Sequence, residues 1–289
     1  MESGEQRLLA QMPLHAITAM YGEAGLRDRF SLEIASFAGP DRARIGRALE
    51  LAARLHAADM RQREPYVNHL LRVATRIICY YGIRDADVVC AALLHDAVED
   101  HPGELAAGSG ADGGTAASGT GSSGTAASGT GSGGTGGTDA ALAALAADFG
   151  PRVAELVGAV TNPDYVPGQD KGQQYRAHVA GSLAASPWAR VIKISDFTDN
   201  GVGLIHTTGP ALTRLAGKYA PLVPVFRDMI SRPDTPLSGD ARALILRQLD
   251  RAEQRFTAIL DNRSAPADAL AAPPGSAGAE ADERAEGLG

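Results

Sequence analysis

The sequence predicts an all-α fold, a single bundle of helices. Apolar residues recur at intervals of three and four in most segments, which is the period of an α-helix packed on a core. Alanine is abundant in these segments and favours helices, because it loses no side-chain entropy in one. No segment alternates apolar and polar residues in the manner of a strand. Of the 289 residues, 44% are hydrophobic, which supports one sizeable core.

The first half of the chain contains three predicted helices. Residues Arg44–Asp59 place their apolar side chains on one face. The second helix covers Pro65–Tyr81, and proline is well tolerated at such a first position. Asp85 or Asp87 caps the third helix, which contains VVCAALLHDAVED and stops before Pro102.

The second half of the chain continues the helical pattern. Residues Asp139–Phe149 form a helix, and Gly150–Pro151 breaks it before a further helix that ends at Val160. The segment TNPDYVPGQDKG is typical of a loop. Four more helices are predicted at Gln173–Ala185, Pro187–Asn200, Pro210–Ser231 and Gly239–Asp261.

Two segments have compositions that do not support a packed core. Residues 107–138 are almost entirely Gly, Ser, Thr and Ala, and TAASGTGSSG at Thr115 recurs as TAASGTGSGG at Thr125. The tail, residues 263–289, is rich in Ala, Pro, Gly and Glu. Neither buries enough apolar surface to offset the entropy of ordering it, so we expect both to be disordered. The expected organisation is an N-terminal extension at 1–30, a domain at 31–262 interrupted by the insert at 107–138, and the tail at 263–289.

Composition excludes some kinds of partner. The formal net charge of −7 is not suited to gripping nucleic acid through its phosphates, although a bound metal can still attract a small phosphorylated substrate. Cys79 and Cys90 lie in apolar runs and are interpreted as buried thiols. The N-terminus does not resemble a signal peptide, and no apolar run is long enough to span a membrane. We therefore expect a cytoplasmic protein with a small-molecule partner and no nucleic-acid or membrane partner, in an oligomeric state that is left open.

The strongest local signal for chemistry is HDAVED, residues 95–100. It directly follows the apolar run VVCAALL, so a predicted core helix leads into a cluster of ionisable side chains. On a continuous helix, Glu99 lies one turn after His95, and Asp100 lies one turn after Asp96. Burying such groups is costly unless they are paired or bind a metal. For this segment alone, a solvated last turn with a chance histidine remains an alternative.

Two further apolar segments favour a metal site. VIKISDFTDN places Asp196 after a run that looks buried, and YVNHL places His69 among apolar neighbours. One histidine on an apolar face is usually a core residue. Three separate apolar segments that each present a histidine or an aspartate are harder to explain in that way, and we interpret them as parts of one site.

Four segments in order resemble the hydrolase domain of the RelA/SpoT enzymes, a branch of the HD superfamily. They are EPYVNHLLRVA, AALLHDAVED, FGPRVAELVGAVT and RVIKISDFTDN, and they span roughly Arg44–Asn200. The HD pair alone is weakly specific, whereas the ordered set of four is strong. The resemblance implies an HD-domain helical bundle. It also implies a stand-alone small hydrolase, because the chain after Asp261 is too short for the synthetase domain of the family.

The resemblance implies a role for each matched residue. In the family, four matched side chains hold a divalent metal, usually manganese, and here they are His69, His95, Asp96 and Asp196. Two imidazoles and two carboxylates suit such a metal and leave coordination sites open. The acidic pair, Glu99 and Asp100, would be catalytic and would orient or deprotonate the attacking water. The matched substrate-binding candidates are Arg61, Arg63, His56 and Asn200.

The sequence departs from the family pattern at several positions. Leu70 stands where the family has proline, and the basic residues before EPY do not have the usual spacing. In the last motif, Phe197 stands in place of an arginine and Asp199 in place of a histidine. These changes bear on nucleotide specificity more than on metal binding.

The expected function is removal of the 3′-pyrophosphate from guanosine alarmones (ppGpp and pppGpp) by a metal-dependent hydrolase. Two alternatives stay open. The first is an HD phosphohydrolase that acts on another nucleotide, which the altered last motif favours. The second is an HD domain that binds a nucleotide and regulates without catalysis, against which the complete set of metal ligands argues.

Overall fold

The structure is a computed structural model that describes residues 4–61, 64–108, 135–163, 165–203 and 210–261. Within these ranges the helices are joined by loops and turns and one short antiparallel hairpin is the rest of the regular secondary structure, so the predicted all-α class is confirmed. The first helices and the two strands are α1 (Gly4–Gln11), α2 (Leu14–Ile34), α3 (Gly39–Leu55), β1 (Met60–Arg61), β2 (Glu64–Pro65), α4 (Val67–Cys79), α5 (Ala86–Leu93), α6 (Ala97–Asp100) and α7 (Pro102–Gly108). The later helices are α8 (Thr135–Phe149), α9 (Pro151–Val160), α10 (Lys171–Ala185), α11 (Pro187–Gly203), α12 (Pro210–Tyr219), α13 (Val223–Ser231) and α14 (Gly239–Leu260).

Helix α4 lies at the centre of the bundle. It packs against α2, α5 and α11, and its residues from Val67 to Ile78 are buried almost without interruption. Helix α5 is likewise buried along its length. Because α4 is buried on nearly all sides and has almost no face for water, a polar side chain on it must find its partners inside the protein. His69 is such a side chain, and it is 1% exposed.

The N-terminal helices pack on the same core. Helix α2 packs along α4 and buries Leu14, Ile17 and Phe30. Gly22 has a φ of 61°, which side-chain-bearing residues rarely adopt, and it kinks α2. The expected boundary after residue 30 falls inside α2, which continues to Ile34.

Several element boundaries differ from the prediction. The single helix expected at Pro210–Ser231 is divided by a 3₁₀-helix at Ala220–Leu222, because Pro221 and Pro224 lack the N–H groups that a continuous α-helix needs. Helices α7 and α8 extend into both ends of the predicted insert, 107–138. Residues 109–134 of the insert, residues 62–63 and the tail from 262 onward lie outside the described residues. None of the helices in the described ranges combines the length and hydropathy that crossing a bilayer requires.

Candidate metal centre

The HD pair lies in a turn between two helices. Helix α5 ends at Leu93 and α6 begins at Ala97, so the prediction of one continuous helix through this segment was wrong. His95 Nδ1 donates to the Ala92 carbonyl at 2.9 Å, and this carbonyl is the one that a continuing helix would use. Successive residues on a helix diverge by about 100°. The turn instead brings His95 Nε2 within 3.0 Å of Asp96 Oδ2.

Four side chains converge on one point. His69 comes from α4, Asp196 comes from α11, and His95 and Asp96 come from the turn after α5. His95 Nε2 also lies 3.8 Å from Asp196 Oδ1. His69 Nε2 lies 3.4 Å from Asp196 Oδ1 and 3.7 Å from Asp96 Oδ2. The ligand atoms of His69, His95 and Asp196 all lie within 4.8 Å of one another, a spacing that one cation can bridge.

The protonation of the two imidazoles fits a cation at this point. His95 Nδ1 faces a carbonyl, which can only accept, so Nδ1 carries the hydrogen. His69 Nδ1 faces the carboxylate of Asp199 at 2.8 Å and carries a hydrogen for the same reason. In the neutral form, each Nε2 therefore presents a lone pair towards two carboxylates, and His95 Nε2 has no hydrogen-bond partner within the described part of the chain. Electron-rich atoms converge in this way where a metal ion or a proton lies between them.

The electrostatics of the cluster lead to the same conclusion. Burial opposes ionisation of Asp96 and Asp196, but the His95 imidazole beside Asp96 and the Lys193 ammonium beside Asp196 hold the pKa of both carboxyls below the usual range. Burial alone would lower the pKa of His95, yet the carboxylates of Asp96 and Asp196 outweigh it and raise that pKa to about 10. A proton thus stabilises the cluster when no metal is bound, and metal binding must displace it.

A network of polar side chains surrounds Asp196. Lys193 Nζ lies 3.2 Å from Asp196 Oδ2, and Asn200 Nδ2 donates to Asp196 Oδ1 at 2.6 Å. The Arg61 guanidinium donates to Asn200 Oδ1. Its other terminal nitrogen, Nη1, is buried without a hydrogen-bond partner among the residues that the structure describes. Two predicted substrate residues, Arg61 and Asn200, therefore lie at the site, whereas Arg63 lies outside the described residues.

The acidic pair after the HD motif lies at the exposed edge of the site. Asn162 donates its side-chain amide to Glu99 at 2.8 and 2.9 Å. The Asp100 backbone N–H donates to the Asp96 carbonyl at 2.9 Å. Desolvation and the neighbouring carboxylates of Asp96 and Glu99 raise the pKa of Asp100 to about 7. A carboxyl with that pKa can accept and release a proton near neutrality.

His56 contacts the site indirectly, through the ring of Tyr66. Its ring stacks on Tyr66 with centroids 4.6 Å apart, and the Tyr66 hydroxyl donates to Asp96 Oδ2 at 2.7 Å. His56 Nδ1 and His101 Nε2 both donate to Asp59 Oδ2, at 2.8 and 2.7 Å. His56, Asp59 and His101 also satisfy the spacing of a metal group, but short hydrogen bonds already join them.

Two residues of the site, Tyr66 and Asp199, have no role predicted from the sequence. Tyr66 stands within the EPY segment but was not assigned a role. In the sequence, Asp199 stands only in place of a family histidine, whereas in the fold the residue is 3% exposed and its carboxylate accepts a hydrogen bond from His69. The spacing from Asp196 to Asp199 offered a signal, because residues three apart on α11 share one face.

The other departure in the last motif faces the core. Phe197 is buried, and its ring centroid lies 4.7 Å from that of Phe226 and 6.0 Å from that of Tyr219. This position therefore supplies aromatic packing between α11 and the C-terminal helices.

Comparisons with known proteins point to one family. A family profile described as the HD domain matches residues 48–113. The human guanosine-3′,5′-bis(diphosphate) 3′-pyrophosphohydrolase MESH1 is 29% identical over 161 residues, which cover 55% of this chain and 68% of the human protein. The Drosophila melanogaster protein of the same name gives the same values. A probable GTP pyrophosphokinase of Mycobacterium leprae is 30% identical over 159 residues, which cover 54% of this chain and 15% of that protein.

A solved structure of a metazoan SpoT ortholog that hydrolyses ppGpp also resembles this chain. The match covers 74% of this chain and 96% of the solved chain, at 25% identity and a TM-score of 0.49. The HD-domain match contains the HD pair, His69 and the acidic pair, and Asp196 lies beyond it. The profile match and the curated relatives show that this chain is similar to HD-domain, RelA/SpoT-type hydrolases, and the converging side chains agree with that similarity.

Proposed function

We propose that this protein is a metal-dependent phosphohydrolase that removes the 3′-pyrophosphate from guanosine alarmones, ppGpp and pppGpp. The observation that carries the proposal is the close approach of two buried imidazole Nε2 atoms and two carboxylates. The similarity to proteins named as guanosine-3′,5′-bis(diphosphate) 3′-pyrophosphohydrolases supports the choice of substrate. A cytoplasmic location and a role in the stringent response are part of the same proposal and depend on that substrate.

The proposed metal ligands are His69, His95, Asp96 and Asp196, and manganese is the proposed ion. A divalent cation held there supplies a Lewis acid that lowers the pKa of water and polarises a phosphoryl oxygen. Neighbouring groups hold each of three ligands in place. The Ala92 carbonyl orients His95, and the Tyr66 hydroxyl holds Asp96. Lys193 and Asn200 hold Asp196.

Glu99 and Asp100 are the proposed acid–base pair. Asp100 is suited to hold a proton near neutrality, since its pKa is raised to about 7. Glu99 is oriented by Asn162, which fixes both of its carboxylate oxygens. Together they can take the proton of the attacking water and pass it to the leaving 3′-oxygen.

Basic and aromatic groups beside the four proposed ligands are suited to bind a nucleotide. Arg61 Nη1 is a buried donor left without a partner in the described ranges, as expected of a cation that awaits a phosphate. Asn200 accepts from the same guanidinium and bonds to Asp196, so it links the substrate side to the metal side. His56 supports the Tyr66 ring and is proposed to line the pocket with Arg63.

The experiment is product analysis with metal-free protein supplied with manganese and ppGpp. Release of GDP and pyrophosphate, absent in Asp96→Asn, is the expected result. Glu99→Gln and Asp100→Asn should still bind manganese while turning over about a hundredfold or more slowly, because each removes a proton acceptor rather than a ligand. Parental turnover in both variants would contradict the proposed acid–base roles, and no ppGpp cleavage by the parent would contradict the substrate.

A second candidate is hydrolysis of another nucleotide by the same centre. The observation that favours it is Phe197, which places an aromatic core residue where the family carries a cation. A panel of nucleotides in the same assay separates the two candidates. Faster manganese-dependent cleavage of a nucleotide without a 3′-pyrophosphate would favour the second.

A further inference from the structure

We infer that Asp199 is a positioning residue that fixes the tautomer and the orientation of His69 in the metal centre. The inference rests on the proposed metal site and deepens it. The family motif has a histidine at this place, so the resemblance assigns no such role to the aspartate that this chain carries. Asp199 contacts Nδ1 of His69, which is the ring nitrogen opposite the one that faces Asp96 and Asp196.

The contact between Asp199 and His69 is short and buried. Asp199 Oδ2 lies 2.8 Å from His69 Nδ1, while His69 Nε2 points to Asp96 and Asp196. The side chains of both partners are almost completely buried, at 1% and 2% exposed. A hydrogen bond between a carboxylate and the far nitrogen of a metal-binding imidazole fixes the ring and makes its free nitrogen a stronger donor to the metal.

Two arginines hold Asp199 in place and ionised. Arg72 Nε donates to Asp199 Oδ1 at 2.9 Å, and Arg72 Nη2 donates to Oδ2 at 3.0 Å. Arg76 Nη2 donates to Oδ1 at 3.0 Å and Nη1 donates to the Ser195 carbonyl at 3.1 Å. With His69, both carboxylate oxygens of Asp199 are occupied from fixed directions, so the carboxylate cannot rotate away from the imidazole.

The arrangement does more than balance buried charge. Arg72 already has a partner in Glu64, which accepts from it at 2.7 and 2.8 Å. An ion pair between Arg72 and Glu64 needs no contact with a metal ligand. Asp199 makes such a contact with His69. It joins the imidazole to Arg72 and Arg76, which lie on the same helix as His69.

The first test uses the unaltered protein. Metal-free chain labelled with ¹⁵N-histidine is examined by long-range ¹H–¹⁵N NMR at pH 8.5, with the His69 signals assigned by their loss in His69→Gln. Asp199 as positioning residue requires a hydrogen on Nδ1 of His69. A bare Nδ1 overturns the inference, and this result does not depend on whether any nucleotide is cleaved.

The second test compares manganese affinity in two variants, measured by EPR of the free ion without substrate. Asp199→Asn removes the charge that orients His69, and its manganese affinity should fall about 10- to 100-fold. Glu64→Gln is the matched control, since it removes a carboxylate from the same arginine without touching a ligand, and its affinity should stay within about threefold of the parent.

The outcomes separate the two claims. The inference is overturned if Asp199→Asn is folded, as judged by circular dichroism, and binds manganese as tightly as Glu64→Gln does. If Asp199→Asn does not fold, the Nδ1 measurement on the parent decides. A parent that binds no manganese refutes the proposed metal site, while the Nδ1 result still decides whether Asp199 holds His69.

Discussion

Lys193→Met gives a sharp test of the electrostatics of the site. Lys193 is 5% exposed, and its ammonium lies 3.2 Å from Asp196 Oδ2. At that distance and an effective dielectric constant of about 20, the attraction is about 5 kcal/mol. Removing one partner of a buried pair costs about 3–5 kcal/mol, because the other charge is left buried. Asn200 and the imidazoles still hold Asp196, so we expect a loss near the lower end, about 3 kcal/mol.

The assay is denaturant unfolding of metal-free protein in the presence of a chelator. A loss of about 3 kcal/mol corresponds to a Tm about 6–12 °C lower for a chain of this size. The variant should also bind manganese more tightly than the parent, because a positive charge beside the ligands has been removed. Lys171→Met is the matched control, since Lys171 is exposed and its loss should leave both quantities unchanged. A loss below about 1 kcal/mol, or weaker manganese binding, would refute the reasoning.

Three further outcomes follow from other parts of the molecule. The folded state keeps a proton on Asp100 up to about pH 7, whereas an unfolded carboxyl loses it near pH 4, so the stability of the metal-free parent should fall as pH rises through that window. Asp100→Asn cannot titrate and removes this loss. Unfolding curves should therefore show the free energy of unfolding of the variant rising relative to that of the parent from pH 4 to 8. Deleting residues 110–133 should leave the Tm within about 2 °C of the parent, because the entropy of loop closure depends only weakly on loop length. A larger drop in Tm by calorimetry would show that the insert contributes to stability. Phe197→Arg, which restores the family residue, should unfold the protein or cost at least about 3 kcal/mol in urea, since it removes a ring that packs on Phe226.

The helices, and the approach of His69 to Asp196, could be predicted from the sequence because apolar periodicity and its polar interruptions are local patterns. Periodic apolar residues mark α4, α5 and α11, and His69 and Asp196 are among the buried polar residues on those helices. A polar residue in an otherwise buried segment must be satisfied inside, which is why these exceptions mark the site.

The turn at the HD pair could not be predicted from the same patterns. The apolar period of VVCAALL continues into HDAVED without a glycine or a proline to end the helix. The helix ends because the His95 ring takes the Ala92 carbonyl, a competition between a side chain and the backbone that hydropathy does not record.

The role of Asp199 depends on partners that are distant in sequence. His69 and Arg76 lie 130 and 123 positions from it, and only the packing of α4 on α11 brings them together. Comparison with the family motif therefore indicated a missing histidine, whereas the fold shows a new buried carboxylate.

The most direct test of the central claim is the number of manganese ions bound per chain. Plasma mass spectrometry after gel filtration should find one tightly held ion in the parent and in His101→Ala, which alters only the neighbouring cluster with His56 and Asp59. His95→Ala should retain none, because it removes one of the two imidazoles that converge with the carboxylates. An ion kept by His95→Ala and lost from His101→Ala would place the metal in the other cluster and contradict the account.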